Sequence, residues 1–392
     1  MPLERLDAAT RGLPAPLAAV DMAALEANAD DLVHRAQGLP IRIATKSVRC
    51  REVLRRVLSR DGFRGLMAYS LAEAVWLVRG GMTDVLVAYP SVDREAFRTV
   101  ASDATLAEQI TVVVDDPQHL ALIAASLDPG SRPVRVCLDI DASLRIGPLH
   151  LGVRRSPVHT VEQATTAARV ITQSPAVRLV GLMFYDAQLA GVPDSSPAVA
   201  AMKRRSVAEL RSRRSRIVDA VGRQVRLEFV NGGGTGSLDL VAGDPDLTEV
   251  AAGSGLFGPT LFDGYRSFTP RSALGYALSV TRRPAPGVRT LFGGGYLASG
   301  PAGRSRVPTP VLPAGLSLVG AEGVGEVQTP VTGAAADRLD VGDRVWWRHA
   351  KAGELCERFA VLHLVEGDDV GPDGAPTVTS APTYRGEGQC FG

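Results

Sequence analysis

The chain has very little lysine. Of its 43 basic residues only Lys46, Lys203 and Lys351 are lysines, and the other 40 are arginines. Genome composition alone can produce such a bias. Where nearly every basic residue is arginine, however, a lysine can have been kept for the chemistry of its amine. An amine can lose its proton and form a Schiff base, whereas a guanidinium cannot.

Other absences exclude whole classes of protein. No stretch reaches about 18 apolar residues, so no transmembrane helix is predicted, and residues 1–14 lack the apolar segment of a secretory signal. A net charge of +1 argues against a nucleic-acid binder and against a polybasic membrane binder. The four cysteines stand far apart without a CxxC pair, which favours reduced thiols in the cytoplasm and no zinc ribbon.

The regular alternation of short β-rich runs and helical stretches indicates the fold class. The chain has 392 residues, of which 45% are apolar, and eight such repeats lie between residues 16 and 260. This number favours an α/β fold, a (β/α)8 barrel of TIM type, over a doubly wound sheet. The predicted strands are 41–46, 65–69, 84–89, 110–115, 133–141, 177–185, 227–230 and 247–251.

The pattern changes at about residue 272, where helical periodicity disappears. Strand-like runs then lie between Gly/Pro-rich connections such as 298–315 and 371–382, which predicts a smaller C-terminal β domain. The predicted domains are a barrel over 21–268 and a β domain over 269–392, which the N-terminal segment 1–20 can join. The predicted strands of the β domain are 274–281, 288–292, 316–319, 344–347 and 359–365.

Lys46 ends the first predicted barrel strand. In (β/α)8 barrels the active site lies at the C-terminal ends of the strands. A lysine that simply leaves a strand for solvent is the ordinary alternative. The scarcity of lysine and the position at a strand end both favour a chemical role.

Two glycine clusters follow the last two predicted strands. The sequence NGGGTGS at 231–237 combines converging backbone N–H groups with the hydroxyls of Thr235 and Ser237, and GSG follows at 253–255. Loops after strands seven and eight are the usual phosphate site of such barrels. Flexible turns are the alternative, but two clusters in these places favour an anion site. A lysine facing a phosphate site suggests pyridoxal 5′-phosphate (PLP).

With these features the chain resembles the PLP enzymes of the alanine-racemase-like barrel type, and within them the D-threonine aldolase and D-serine dehydratase group. The matching segments follow the family's order over nearly the whole chain. They are PLAAVD at 16–21, IATK at 43–46, DASLRIG at 141–147, GGGT at 232–235 and EVAAG at 249–253.

The resemblance implies roles for individual residues. Lys46 would form the Schiff base with PLP, and Arg145 would approach the phenolic oxygen of the cofactor. Tyr185 ends the sixth predicted strand, so it can stack on the cofactor or merely cap the rim of the barrel. The residues implied to hold the phosphate are Gly233, Gly234, Thr235, Gly253, Ser254 and Gly255.

The chain departs from the family where a divalent metal ion is expected. The group carries a His-x-Cys or His-x-Asp pair, but here the sequence is His349-Ala-Lys351, which leaves His349 as the only candidate ligand. In one interpretation the metal site is lost and Lys351 is solvated. In the other, Lys351 polarises the β-oxygen of the substrate and His349 is the nearby base. Glu354 and Cys356 lie close by, at a spacing that fits no standard metal site.

The resulting hypothesis is a PLP-dependent lyase that acts on a β-hydroxy α-amino acid of D configuration, by aldol cleavage or dehydration. An amino-acid racemase is the first alternative, although 250–253 lack the family's arginine and the second base would be Tyr296 or Tyr384. A non-catalytic PLP-binding protein is the second alternative. The expected partners are a small amino-acid substrate and a second copy of the chain.

Overall fold

The structure is a computed structural model that describes residues 2–194, 196–301, 303–367 and 376–391. Contacts divide the chain into two compact units. The β unit comprises residues up to 31, 46–57 and 254–390, and the barrel unit comprises 32–45, 58–253 and the last residues from 391. The domain boundaries expected from the sequence stay a prediction.

The elements of secondary structure are numbered in chain order. The strands are β1 (Leu17–Asp21), β2 (Ile41–Ala44), β3 (Phe63–Ala68), β4 (Val85–Val87), β5 (Ile110–Val114), β6 (Val134–Asp141), β7 (Leu144–Ile146), β8 (Leu149–Leu151), β9 (Val177–Tyr185), β10 (Phe229–Gly232), β11 (Glu249–Ala252), β12 (Leu274–Ala285), β13 (Val288–Phe292), β14 (Thr309–Leu312), β15 (Ser317–Leu318), β16 (Gln328–Thr332), β17 (Arg344–Arg348), β18 (Val361–Glu366) and β19 (Thr377–Pro382). The α-helices are α1 (Pro2–Ala9), α2 (Met22–Arg35), α3 (Arg51–Leu58), α4 (Leu71–Arg79), α5 (Arg94–Ser102), α6 (Ala104–Gln109), α7 (Pro117–Ala124), α8 (Val161–Thr172), α9 (Ala187–Ala190), α10 (Pro197–Gly222), α11 (Leu238–Val241) and α12 (Ser254–Phe257).

The barrel unit contains a closed parallel barrel, as the sequence predicts. Its strands follow the order β2-β3-β4-β5-β6-β9-β10-β11, and β11 pairs again with β2. The short strands are buried along their whole length, as is usual where helices cover a parallel sheet. Apolar side chains fill part of this unit, among them Leu86, Val113, Cys137, Val180, Met183 and Phe229.

A buried ion pair joins three strands of the barrel. Nε of Arg42 donates to Oε1 of Glu249 at 2.8 Å, and Asn231 donates to the same oxygen at 2.8 Å. The second guanidinium edge of Arg42 contacts Asp84 at 2.9 Å. Arg42, Asn231 and Glu249 are all fully buried, so this network satisfies charges that burial would otherwise make costly.

The β unit is built on a large mixed sheet. Its central path is β15-β16-β13-β12-β1-β18-β19, and β17 pairs with both β12 and β14. Strand β1 pairs antiparallel with β12 and parallel with β18, so residues 17–20 of the N-terminal segment belong to this sheet together with Asp21.

The sequence prediction was wrong on several elements. The connections expected at 298–315 and 371–382 contain β14 and β19; each pairs with a single neighbour, and such edge strands tolerate the proline and polar residues that hid them. Residues 371–375 lie outside the described residues. Helix α1, strand β16 and the hairpin of β7 and β8 were also missed. No helix in the described ranges is long and apolar enough to cross a membrane.

Candidate active site

The glycine loop of the barrel unit follows β10 and excludes side chains at two positions. Gly233 has φ +76°, and a Cβ atom there would lie 3.0 Å from Val241. A Cβ on Gly234 would lie 2.8 Å from Cβ of Ala190 and 3.9 Å from the ring of Tyr185. Tyr185, which ends β9, is therefore a neighbour of this loop. Only glycine leaves the backbone of the loop open to close approach.

Hydroxyl groups connect the glycine loop to its surroundings. Oγ1 of Thr235 accepts the N–H of Gly253 at 3.4 Å, so the two glycine clusters of the sequence meet at this point. Oγ of Ser237 accepts the N–H of Gly234 at 3.1 Å and donates to Oδ1 of Asp186 at 3.1 Å. The loop is thereby held from behind by the carboxyl group of Asp186, which follows Tyr185 at the end of β9.

Asp186 is fully buried beneath the loop. Burial raises the pKa of its carboxyl group to about 6, against the opposing effect of Arg214. Its second oxygen, Oδ2, has no hydrogen-bond partner among the described residues. Arg214 in turn pairs with Asp244, which is also buried. A buried carboxyl group with a raised pKa thus stands directly behind the candidate phosphate loop.

Arg145 lies on the short strand β7 and is paired within the barrel unit. Its Nε donates to Oδ2 of Asp141 at 3.1 Å, and 39% of its side chain is exposed. A second arginine, Arg155, lies over the rings of Tyr89 and Tyr185, with Cζ 5.8 Å and 5.2 Å from their centroids. Arg155 was missed because an exposed Arg-Arg pair in a loop carries no signal in the sequence.

Asp139 gives the barrel a second carboxyl group with a raised pKa. The group is buried on β6, and burial together with the nearby Asp115 raises its pKa to about 8, while Arg155 opposes this shift. The carboxyl group therefore keeps its proton at pH 7. Its backbone carbonyl accepts the hydroxyl of Ser156 at 2.8 Å, which anchors the loop that carries Arg155.

Lys46 lies in the β unit, in a 3₁₀ turn over Thr45–Ser47 rather than in the strand predicted to end there. Its carbonyl oxygen accepts Nε of Arg49 at 3.1 Å. The same oxygen lies only 1.9 Å from where a Cβ atom on Gly353 would be, and Gly353 has φ +105°. Arg49 also pairs with Glu357. The segment 349–357 therefore contacts the chain around Lys46 at two residues, Gly353 and Glu357.

The segment 349–357, called here the β-unit loop, carries the other predicted catalytic residues. His349 is fully buried, and burial together with Arg348 lowers its pKa to about 3, so the imidazole is neutral. Its backbone carbonyl accepts the N–H of Thr260 at 3.0 Å. Nζ of Lys351 donates to Oγ of Ser299 at 3.2 Å, and the N–H of Ser299 donates to Glu354 at 2.8 Å.

The remaining candidates lie in or near the core of the β unit. Tyr296 packs against the rings of Tyr276 and Phe359 at centroid distances of 5.2 Å and 5.7 Å. Tyr384 is buried, and its N–H donates to the carbonyl of Arg49 at 2.9 Å. Ser254 and Gly255, predicted to hold the phosphate, begin α12.

The closed parallel barrel with a β unit built on a mixed sheet defines a class of fold, and comparison with known proteins identifies the family. Residues 20–260 match the family described as alanine racemase, N-terminal domain. The chain belongs to this family, which confirms the resemblance inferred from its motifs.

The relatives that carry a named activity are distant from this chain in sequence. A 3-hydroxy-D-aspartate aldolase of Paracoccus denitrificans is 26% identical over 244 residues, which are 62% of this chain and 60% of that protein. A D-threonine aldolase of an Arthrobacter species is 24% identical over 297 residues, or 73% of this chain and 71% of the relative. The matched region thus covers less than two thirds of the first of these relatives.

Solved structures show the same fold over nearly the whole chain. The D-threonine aldolase from Filomicrobium marinum has a TM-score of 0.77 at 21% identity, covering 95% of this chain and 96% of that one. A D-threo-3-hydroxyaspartate dehydratase from a Delftia species has a TM-score of 0.71 at 18% identity, with coverage of 95% and 97%.

Proposed function

We propose that the protein is a PLP-dependent lyase that acts on D-β-hydroxy α-amino acids by aldol cleavage or dehydration. Family membership and the activities named for its relatives support the reaction class. The observation that carries the proposal is the meeting of Thr235 with Gly253, which joins the two glycine clusters where barrels of this type bind phosphate.

The residues present fit PLP. A phosphate needs N–H and hydroxyl donors at close approach, and Gly233 and Gly234 keep the loop free of side chains. Gly233, Gly234 and Thr235 would hold the phosphate together with residues 253–255, and Lys46 would hold the aldehyde group. Tyr185 and Arg155 would adjoin the ring, and Arg155 joins Arg145 as a candidate partner of its phenolic oxygen.

When bound, PLP withdraws the electron pair left at Cα once a bond to that carbon breaks. The chain's own residues supply the rest. The amine of Lys46 can take a proton from Cα, which dehydration requires. The neutral imidazole of His349 can accept a hydrogen bond from the β-hydroxyl group, although its low pKa makes it a weak base.

The residues do not fit a divalent metal ion. The pair His349-x-Lys351 offers one imidazole and an ammonium group, which has no lone pair for a metal. No group of three or more His, Cys, Asp or Glu side chains in the described ranges could hold such an ion.

Assembly and location extend the proposal. We infer a homodimer, to be checked by light scattering, and a cytoplasmic location, which the four scattered cysteines without a CxxC pair support.

The experiment is a spectrum followed by a product assay. Purified protein with added PLP should develop the visible absorbance of lysine-bound PLP, and Lys46→Ala should abolish it and lower turnover by about 10³-fold or more. A panel of D- and L-β-hydroxy amino acids is then assayed for aldehyde and for ammonia plus keto acid. Absence of both products from every substrate would contradict the proposal, and loss of optical rotation alone would favour a racemase.

A further inference from the structure

The β-unit loop carries a cation of its own. Lys351 is one of three lysines in a chain with 40 arginines, and it stands two residues after His349. Its ammonium group contacts Oγ of Ser299 at 3.2 Å, and the N–H of Ser299 is bound by Glu354 at 2.8 Å. Glu354 therefore positions the serine that contacts Lys351.

The neighbouring side chains offer no alternative set of metal ligands. Cys356 is fully buried, and burial raises the pKa of its thiol, which disfavours the thiolate in the metal-free protein. Glu357 is paired with Arg49. In the described ranges no group of three or more His, Cys, Asp or Glu side chains could hold a metal ion, and one imidazole does not make a site.

The loop is also placed beside the residue proposed to hold the cofactor. Gly353, two residues after Lys351, packs directly on the carbonyl oxygen of Lys46, where a Cβ atom would lie 1.9 Å away. Arg49 donates to that same oxygen at 3.1 Å. The cation of Lys351 is thus carried by a segment whose backbone is fixed against the Lys46 turn.

We propose that the ammonium group of Lys351 replaces a divalent metal ion in this protein and binds the β-oxygen of the substrate. This inference rests on the proposed function. A positive charge that donates a hydrogen bond to the β-oxygen stabilises negative charge developing there, as a metal ion would. An ammonium group supplies this charge without a ligand set, which the loop lacks.

The first test needs no substrate. PLP-loaded protein is titrated with MnCl₂ and with ZnCl₂ by calorimetry, and its metal content is measured after purification. The wild type should hold no stoichiometric metal. Lys351→Asp, which pairs a carboxylate with His349, should bind Mn²⁺ at least about tenfold more tightly than the wild type. Arg358→Asp, a matched charge change at an exposed cation beside Tyr296, should bring no such gain.

The second test uses the reaction. Lys351→Ala should lower kcat by about 100-fold while the absorbance of bound PLP stays unchanged, and Lys351→Arg should restore most of the loss. One Mn²⁺ ion per wild-type chain, lost in His349→Ala, would overturn the inference, as would an unchanged kcat in Lys351→Ala. Absence of any lyase product from the wild type would contradict the proposed function itself. The metal titrations need no substrate, so they test the inference about Lys351 separately.

Discussion

The glycine loop of the barrel unit and the loop of the β unit use different chemistry. Residues 232–237 contain no charged side chain and act through backbone N–H groups and hydroxyls. Residues 349–357 carry His349, Lys351 and two glutamates, so they act through side chains. On the proposed function, the first binds a phosphate and the second contacts the substrate. A site that binds its ligand through backbone groups changes little when single side chains are substituted, whereas a site that binds through side chains can change with one substitution.

The largest effect is expected at the contact between the β-unit loop and Lys46. Gly353→Ala would place Cβ 1.9 Å from the carbonyl oxygen of Lys46, so the lysine turn or the loop must move. A shift of about 1 Å in a catalytic group can cost about 100-fold in rate. We expect kcat to fall by about that factor, measured with the substrate that the panel identifies.

Gly342→Ala is the matched control for this prediction. Gly342 has φ +100°, close to that of Gly353, but nothing lies within 4 Å of a Cβ atom there. Both variants share the backbone strain, and only Gly353→Ala adds the clash. Equal losses of activity in the two would mean that strain alone is responsible and that the contact with Lys46 is unimportant.

A substitution in the glycine loop should weaken the binding of PLP. Gly234→Ala would place Cβ 2.8 Å from Ala190, and overpacking of this kind costs about 1–3 kcal/mol. The Kd for PLP should therefore rise roughly 5- to 150-fold, as measured by absorbance titration. Gly222→Ala, where a Cβ meets nothing within 4 Å, should leave the Kd unchanged. An unchanged Kd in Gly234→Ala would place the phosphate elsewhere.

The barrel unit could be predicted from the sequence because its signal is local. Buried parallel strands are short apolar runs in the sequence. The regular alternation of strands and helices also shows where each strand ends, as with Tyr185 and the loop after β10. The edge strands β14 and β19 lack such runs, because exposed edges accept proline and polar residues. The regular part of the fold was therefore predictable and the periphery was not.

The site could be predicted only in part. Lys46 and the glycine clusters stand at strand ends, which a pattern of strands and loops reveals. The contact of Gly353 with Lys46 joins residues far apart in the chain, and Gly353 resembles an ordinary loop glycine. Asp186 follows a strand like many surface carboxylates, and only the folded structure, in which Ser237 contacts it and Arg214 lies nearby, shows that it is buried. The functional roles of all these residues stay predictions.

The last expected effect is on stability and comes from the carboxyl group behind the glycine loop. Burial raises the pKa of Asp186 to about 6 from about 3.9 in an unfolded chain, so the folded protein binds this proton more tightly. The tighter binding of this proton therefore stabilises the folded state fully below about pH 4, and this stabilisation is lost as the pH rises through 6. Asp186→Asn removes the titrating group but keeps an oxygen that can accept the hydroxyl of Ser237.

At pH 8, urea unfolding should accordingly show Asp186→Asn to be more stable than the wild type, by up to about 3 kcal/mol. The difference should vanish near pH 4, where the wild-type carboxyl group is protonated and neutral like the amide. The exposed Asp219→Asn on α10 should give no pH-dependent difference. A wild-type curve that stays parallel to that of Asp186→Asn from pH 4 to 8 would show that the folded and unfolded states bind this proton equally, so that burial does not raise the pKa of Asp186.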